Sequence, residues 1–163
     1  MTEIVSGKRS YGVVSLDRQR EMTGLEFVRA LVSGNLPLNT MAKTLAYDIV
    51  EADEGRVLIT AMPNLDHLNP NGTVHGGVAA TLLDSCMGLA VRTTLPKGVG
   101  STTLEFKISF LRPVTPELAP LRAEGKVLMA GRRIGSAEGW LTGRHGRILV
   151  HGTTTCVNFD QRD

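Results

Sequence analysis

The run from His75 to Pro96, "HGGVAATLLDSCMGLAVRTTLP", constrains this chain more than any other. It is long enough for about four to five helical turns, and Pro96 stops it. Its apolar residues do not keep to one stripe but surround the helix on most sides. A helix of that kind has to be enclosed by other structure. Near its middle stands one acidic residue, Asp84. A buried carboxylate is costly unless it is paired or used.

The flanking segments supply the enclosure. "TLAYDIVEADEGRVLITAMP" holds two alternating β-branched runs around the turn Asp53-Glu54-Gly55, a hairpin pattern. After Lys97-Gly98, "STTLEFKISFLRPV" alternates Leu104, Phe106, Ile108 and Phe110 against Glu105, Lys107 and Ser109. "LRAEGKVLMAG" and "RIGSAEGWLTG" form a second hairpin around Gly131-Arg132-Arg133, and "RILVHGTTTCVNF" closes the sheet. Upstream, "DRQREMTGLEFVRALVSGNLP" predicts a helix over 17–34, capped by Asp17, with Leu25, Val28, Leu31 and Val32 on one stripe. Residues 1–16 are polar with little periodicity and predict a loose arm.

The order is helix, two strands, one long helix, four strands. Short turns join most of the strands, so the sheet should be antiparallel and the class α+β. An antiparallel sheet curled around one central helix, with an extra N-terminal helix, is a hot-dog fold. It forms a single domain over 1–163, with its core at 40–158. One such unit packs poorly alone, so a homodimer with a continuous sheet is expected, and a dimer of dimers (a homotetramer) beyond it.

Composition narrows the function classes. The 163 residues are 42% apolar and 21% charged, which suits one domain with a sizeable core. The net charge of +2, with no basic block, argues against a nucleic-acid partner. No run reaches the roughly 18 to 20 apolar residues of a membrane span, and the start lacks a signal-peptide stretch. Cys86 and Cys156 form no C-x-x-C pair. These features point to a cytoplasmic protein with no membrane partner.

The start of the long helix carries chemistry. Gly76 and Gly77 offer backbone N–H groups at its positive end, where a carbonyl oxygen can be held as charge grows on it. Two glycines at that place equally suit close helix–sheet packing. Asp84 lies about 12 Å further along the axis, at 1.5 Å per residue. The two groups of one helix therefore cannot touch one reacting bond; a second copy must supply one of them. Ala80, Thr81 and Gly88 leave a slot beside Asp84, although a buried Asp bonded to hydroxyls for stability reads the same way. Asn69 can position a water, or simply turn the chain before Pro70. His75 can act as a base, or anchor the loop through backbone bonds, the role preferred here.

Asn69-Pro70-Asn71-Gly72-Thr73-Val74-His75-Gly76-Gly77, followed by Ala80-Thr81-Leu82-Leu83-Asp84, resembles the PaaI-type hot-dog acyl-CoA thioesterases. The resemblance covers 40–158 and includes "ISFLRPV" and "AGRRIGSAEGWL". It implies hydrolysis of an acyl-CoA substrate to free acid and CoA, without metal or other cofactor. It makes Asp84 the catalytic carboxylate, as base or nucleophile. It makes the Gly76 N–H the group that polarises the carbonyl, and Asn69 the residue that orients water or thioester. His75 matches the His at the turn, and Thr103 a hydroxyl that helps hold the water. Gly77, Ser85 and Gly88 are expected at the substrate. Arg112, Arg132, Arg133 and Lys97 are candidates for the CoA phosphates, each equally readable as a solvated charge.

Other chemistries fit less well. An esterase elbow needs G-x-S-x-G and a βαβ sheet, and "LDSCMG" lacks the first glycine. His67, His75, His145 and His151 make no zinc pattern. Two readings stay beside hydrolysis: a hot-dog hydratase or dehydratase using His75, and a non-catalytic acyl-CoA binder.

Overall fold

The computed structural model describes residues 9–161. Among these residues, six strands form one antiparallel sheet in the order β1-β2-β4-β5-β6-β3. They are β1 (Tyr47–Asp53), β2 (Arg56–Ala61), β3 (Val99–Phe110), β4 (Leu121–Ala130), β5 (Ile134–Thr142) and β6 (Ile148–Asp160). Helix α4 (Gly76–Thr93) lies on one face and touches every strand. Its inward residues Leu82, Leu83, Cys86, Met87, Ala90 and Val91 are buried among Ile49, Val57, Ile59, Ala123, Ala137 and Leu141. Burying each of the larger side chains contributes about 1.5–3 kcal/mol. The α+β hot-dog arrangement expected from the strand order is the one found.

A row of glycines seats the helix. Gly125 on β4 pairs with Gly139 on β5, and Gly139 pairs with Gly152 on β6. A Cβ at Gly125 would lie 2.4 Å from the Cys86 carbonyl oxygen, and one at Gly139 would lie 2.9 Å from Met87 Cγ. The missing side chains make a trough across three strands, and α4 lies in it.

The N-terminal region departs from the single helix expected over 17–34. It forms α1 (Leu16–Arg20) and α2 (Gly24–Val32), with a break between them. Ser15, not Asp17, caps α1. Thr23 starts α2 through a capping box: its hydroxyl accepts from the Glu26 N–H, and Glu26 accepts from the Thr23 N–H. The break lets Gly24 come against the C-terminal end of α4, its N–H donating to the Leu95 carbonyl at 3.0 Å. A short further helix, α3 (Thr40–Thr44), precedes β1.

The loose arm expected over 1–16 lies outside the described residues up to residue 8, and from Arg9 onward it is tied down. Arg9 Nε donates to Asp48 at 3.0 Å and Nη1 to the Leu31 carbonyl at 2.7 Å. Tyr11 bridges Leu38. The arm clamps α2 to β1.

Strand β3 ends the sheet. Only β6 pairs with it among the described residues, so its other edge carries unpaired backbone groups. Leu104, Phe106 and Phe110 on this strand are 58%, 40% and 54% exposed. No helix of the described residues is long and apolar enough to cross a membrane.

Candidate active site

Asp84 sits on the face of α4 turned towards β3. Its Oδ1 accepts a hydrogen bond from Thr103 Oγ1 at 2.8 Å. The register shift after Thr103 turns this hydroxyl towards the helix, because the bulge leaves Leu104 unpaired. Both residues line a cavity of about 300 Å³, together with Phe27, Ser85, Gly88 and Arg92. Gly88 lies beneath Thr103, and a Cβ there would stand 3.8 Å from the hydroxyl. Ser85 Oγ is 3.4 Å from the Tyr47 hydroxyl.

The start of α4 is built around two histidines. His67 is buried; its Nδ1 accepts from the Asn64 N–H at 3.0 Å, and Nε2 lies 2.8 Å from the Thr44 carbonyl. The His67 carbonyl then accepts from the His75 N–H at 2.8 Å. His75 caps α4, its Nδ1 accepting from the Gly77 N–H at 2.9 Å. The expectation of two free amides is corrected here: the Gly77 N–H is taken by His75. The Gly76 N–H has no hydrogen-bond partner among the described residues. Gly76 is packed against the Phe110 ring, which a Cβ would meet at 3.0 Å.

Asn69 is a turn-former. Its Oδ1 accepts from the Asn71 and Thr73 N–H groups, and its Nδ2 donates to Thr73 Oγ1 at 2.8 Å. Asn69, Gly76, Phe110 and Arg112 line a second cavity of about 360 Å³. Within one chain, then, the sequence-derived residues fall into two groups. Asp84, Thr103, Ser85 and Gly88 meet at one place; Asn69, His75, Gly76 and Gly77 meet at another, where α4 begins.

The cationic candidates also divide. Arg112 lies by the Gly76 group and donates to the Ile148 carbonyl at 2.6 Å. It also edges a cleft of about 620 Å³ with His145 and Arg147, which the sequence reading did not single out. Arg132 and Arg133 are exposed at the β4–β5 turn, and Lys97 is exposed after α4.

Neither cysteine is a ready nucleophile. Burial pushes the Cys86 thiol far up, and its Sγ lies against the Leu83 carbonyl. Burial also raises Cys156, which pairs with Thr103 across the β3–β6 ladder. Among the described residues, no group of three or more His, Cys, Asp or Glu residues is placed to hold a metal ion.

Sequence reasoning missed Arg92. It is buried, lines the Asp84 cavity and stands over the Phe27 ring at 5.0 Å. Its spacing from Asp84 and Gly88 was the available signal: residues four apart share a helix face.

Comparison with known proteins agrees with this architecture. The family model of the thioesterase superfamily matches residues 71–147, which hold Gly76, Asp84 and Thr103. A protein of Halobacterium salinarum named as a candidate esterase is 35% identical over 124 residues, 72% of this chain and 80% of that protein. Human acyl-coenzyme A thioesterase 13 is 31% identical over 65 residues, 40% of this chain and 46% of that protein. The crystal structure of a phenylacetic acid degradation-related protein from Ralstonia eutropha is 30% identical with a TM-score of 0.71, covering 79% of this chain and 97% of that one. The PaaI protein of Escherichia coli, 21% identical, shares the fold with a TM-score of 0.69 over 89% of this chain and 96% of its own. The fold is that of hot-dog proteins of the PaaI type. The chain belongs to the thioesterase superfamily.

Proposed function

We propose that this protein hydrolyses acyl-CoA thioesters at two equivalent sites, each shared between the two chains of a homodimer. The observation that carries this reading is the Asp84–Thr103 pair, 2.8 Å apart in a cavity beside the unpaired edge of β3. A second copy paired on that edge brings its own Gly76 towards Asp84. The free N–H at one helix start and the carboxylate of the other chain then face one carbonyl. This division matches the separation of the two groups within a single chain.

Thr103 occupies Oδ1 of Asp84, and Oδ2 is left for a water. The carboxylate takes a proton from that water, and the water oxygen bonds to the acyl carbon. The partner's Gly76 N–H donates to the carbonyl oxygen as it becomes anionic, helped by the helix dipole. The C–S bond breaks, and the thiolate sulfur takes the proton from Asp84. Asn69 holds the loop that aims Gly76, rather than touching the water. Arg112, with Arg147 and His145 along the same cleft, is suited to the CoA phosphates by charge and exposure.

The hydratase reading loses its base. The lone pair on His75 Nδ1 accepts the Gly77 N–H, so Nε2 carries the proton. The test of hydrolysis is thiol release from a panel of acyl-CoAs by wild type and Asp84→Asn. Loss of about 100-fold or more in kcat, with an unchanged melting temperature, is expected for a positioned base. Retained turnover in that variant would remove Asp84 from the reaction.

A further inference from the structure

Arg92 has no role in the steps above, yet it lies in the same cavity as Asp84. It is 7% exposed. Its Nε–H has no hydrogen-bond partner among the described residues, and the only charge-related contact made by the guanidinium is with the Phe27 ring at 5.0 Å. Burial pushes its pKa down, and among the described residues no carboxylate offsets the shift. A buried cation without a counter-charge is costly, and a ring face offsets only part of that cost. A ligand group of opposite charge in the cavity would offset that cost.

Its position says which part of a ligand would do so. Asp84, Gly88 and Arg92 follow one another at four-residue spacing along one stripe of α4. The stripe is walled by Ser101, Thr102 and Thr103 of β3 on one side and by Phe27 of α2 on the other. Gly88 puts no side chain between the two charged residues, so the groove is open from one to the other. Helical side chains lean towards the N-terminus, which tilts the guanidinium back along the groove towards Asp84. An acyl group whose carbonyl sits at Asp84 would run over Gly88 and end at Arg92.

Resting on the thioesterase reading, we infer that this groove selects acyl groups carrying a carboxylate at their far end. The guanidinium would receive that carboxylate and so gain the counter-charge it lacks. Helix α2 belongs to this arrangement: Gly24 fits against the Arg92 carbonyl, where no Cβ has room, and Phe27 then lies over the guanidinium.

The test compares thiol release by the full-length protein from glutaryl-, adipyl- and suberyl-CoA with release from pentanoyl-, hexanoyl- and octanoyl-CoA. The best carboxylated substrate should exceed its methyl-ended counterpart in kcat/KM by about 10- to 100-fold, the range for one hydrogen-bonded charge pair. Arg92→Met should abolish that preference through KM and keep turnover of the methyl-ended chain. Arg92→Lys, which keeps the charge without the fork, should retain part of it. Equal rates on the two series in wild type overturn the inference, as does a preference that survives in Arg92→Met. Calorimetric binding of adipyl-CoA against hexanoyl-CoA to Asp84→Asn reads the same selectivity without turnover, and it decides the matter if Arg92→Met does not fold. Absence of thiol release from every substrate sinks the hydrolase reading alone. In that case tighter adipyl-CoA binding still supports the Arg92 assignment, and equal binding still overturns it.

Discussion

Thr103 donates to Asp84 from the strand opposite its helix, and this one bond fixes which carboxylate oxygen faces the cavity. Replacing Thr103 with Val keeps the shape and removes the donor. The carboxylate would then rotate freely, and the attacking water would lose its fixed partner. For Thr103→Val we expect kcat to fall about tenfold or more with KM nearly unchanged, as befits a group that positions a base. Thr103→Ser should restore most of the rate, and steady-state kinetics on one acyl-CoA reads both. Legibility at this scale follows sequence distance. His75, Gly76 and Asp84 stand in one continuous stretch of sequence, so the N–H groups at the helix start and the carboxylate about 12 Å beyond them can be placed from dipole and spacing. Thr103 lies on another element; the sequence reached it only through the family resemblance, and it is the β3 register that brings its hydroxyl to Asp84. Arg92 in the last turn of a helix reads as an ordinary C-terminal cation. Phe27, brought by a helix far upstream, lies over its guanidinium.

At the scale of elements, the glycine trough seats α4 with backbone contacts that leave no room for a methyl at Gly125. A methyl added at Gly125 meets the backbone of Cys86 and Met87, which cannot move without shifting the helix that carries Asp84. Gly125→Ala should therefore cost about 1–3 kcal/mol, the usual penalty for overpacking, and lower activity alongside stability. Gly12→Ala has nothing within 4 Å of the new methyl and serves as the control. Thermal melts of the two variants check the difference. The six strands and the central helix were legible because their periods change cleanly at turn residues such as Gly55 and Gly98. The glycine trough was not, because Gly125, Gly139 and Gly152 become neighbours only through antiparallel pairing. The break between α1 and α2 lay open in the sequence. Thr23-x-x-Glu26 is a helix-start signature, and its capping box outweighed the continuous stripe that suggested one helix.

For the whole molecule, the edge of β3 decides whether two half-sites become one. In each chain Asp84 lies over Thr103 and Gly76 lies by Phe110. Bringing the partner's Gly76 to Asp84 sets the partner's Phe110 beside Thr103. In antiparallel pairing the two-fold axis then falls midway, near Phe106 and Lys107. That pairing would cover Phe106 and satisfy the open edge, the liability a long exposed strand otherwise carries. Subunit complementation tests this arrangement directly. Gly76→Pro deletes the N–H at the first helical position, where proline's fixed φ fits and the extended His75 (ψ 136°) before it suits a following proline, with the Phe110 side chain, 3.0 Å from a Cβ there, having to shift to admit the ring. Asp84→Asn disables the other half. Each variant alone should be nearly inactive. In mixed dimers, however, one site holds both defects and the other holds neither. Random exchange makes half the dimers mixed, with one good site of two, so activity should recover to about one quarter of wild type. Activity that stays at the level of the separate variants after exchange would mean that each site is built within one chain. The separation of Gly76 from Asp84 along α4 would then have to be bridged by the substrate rather than by a second subunit.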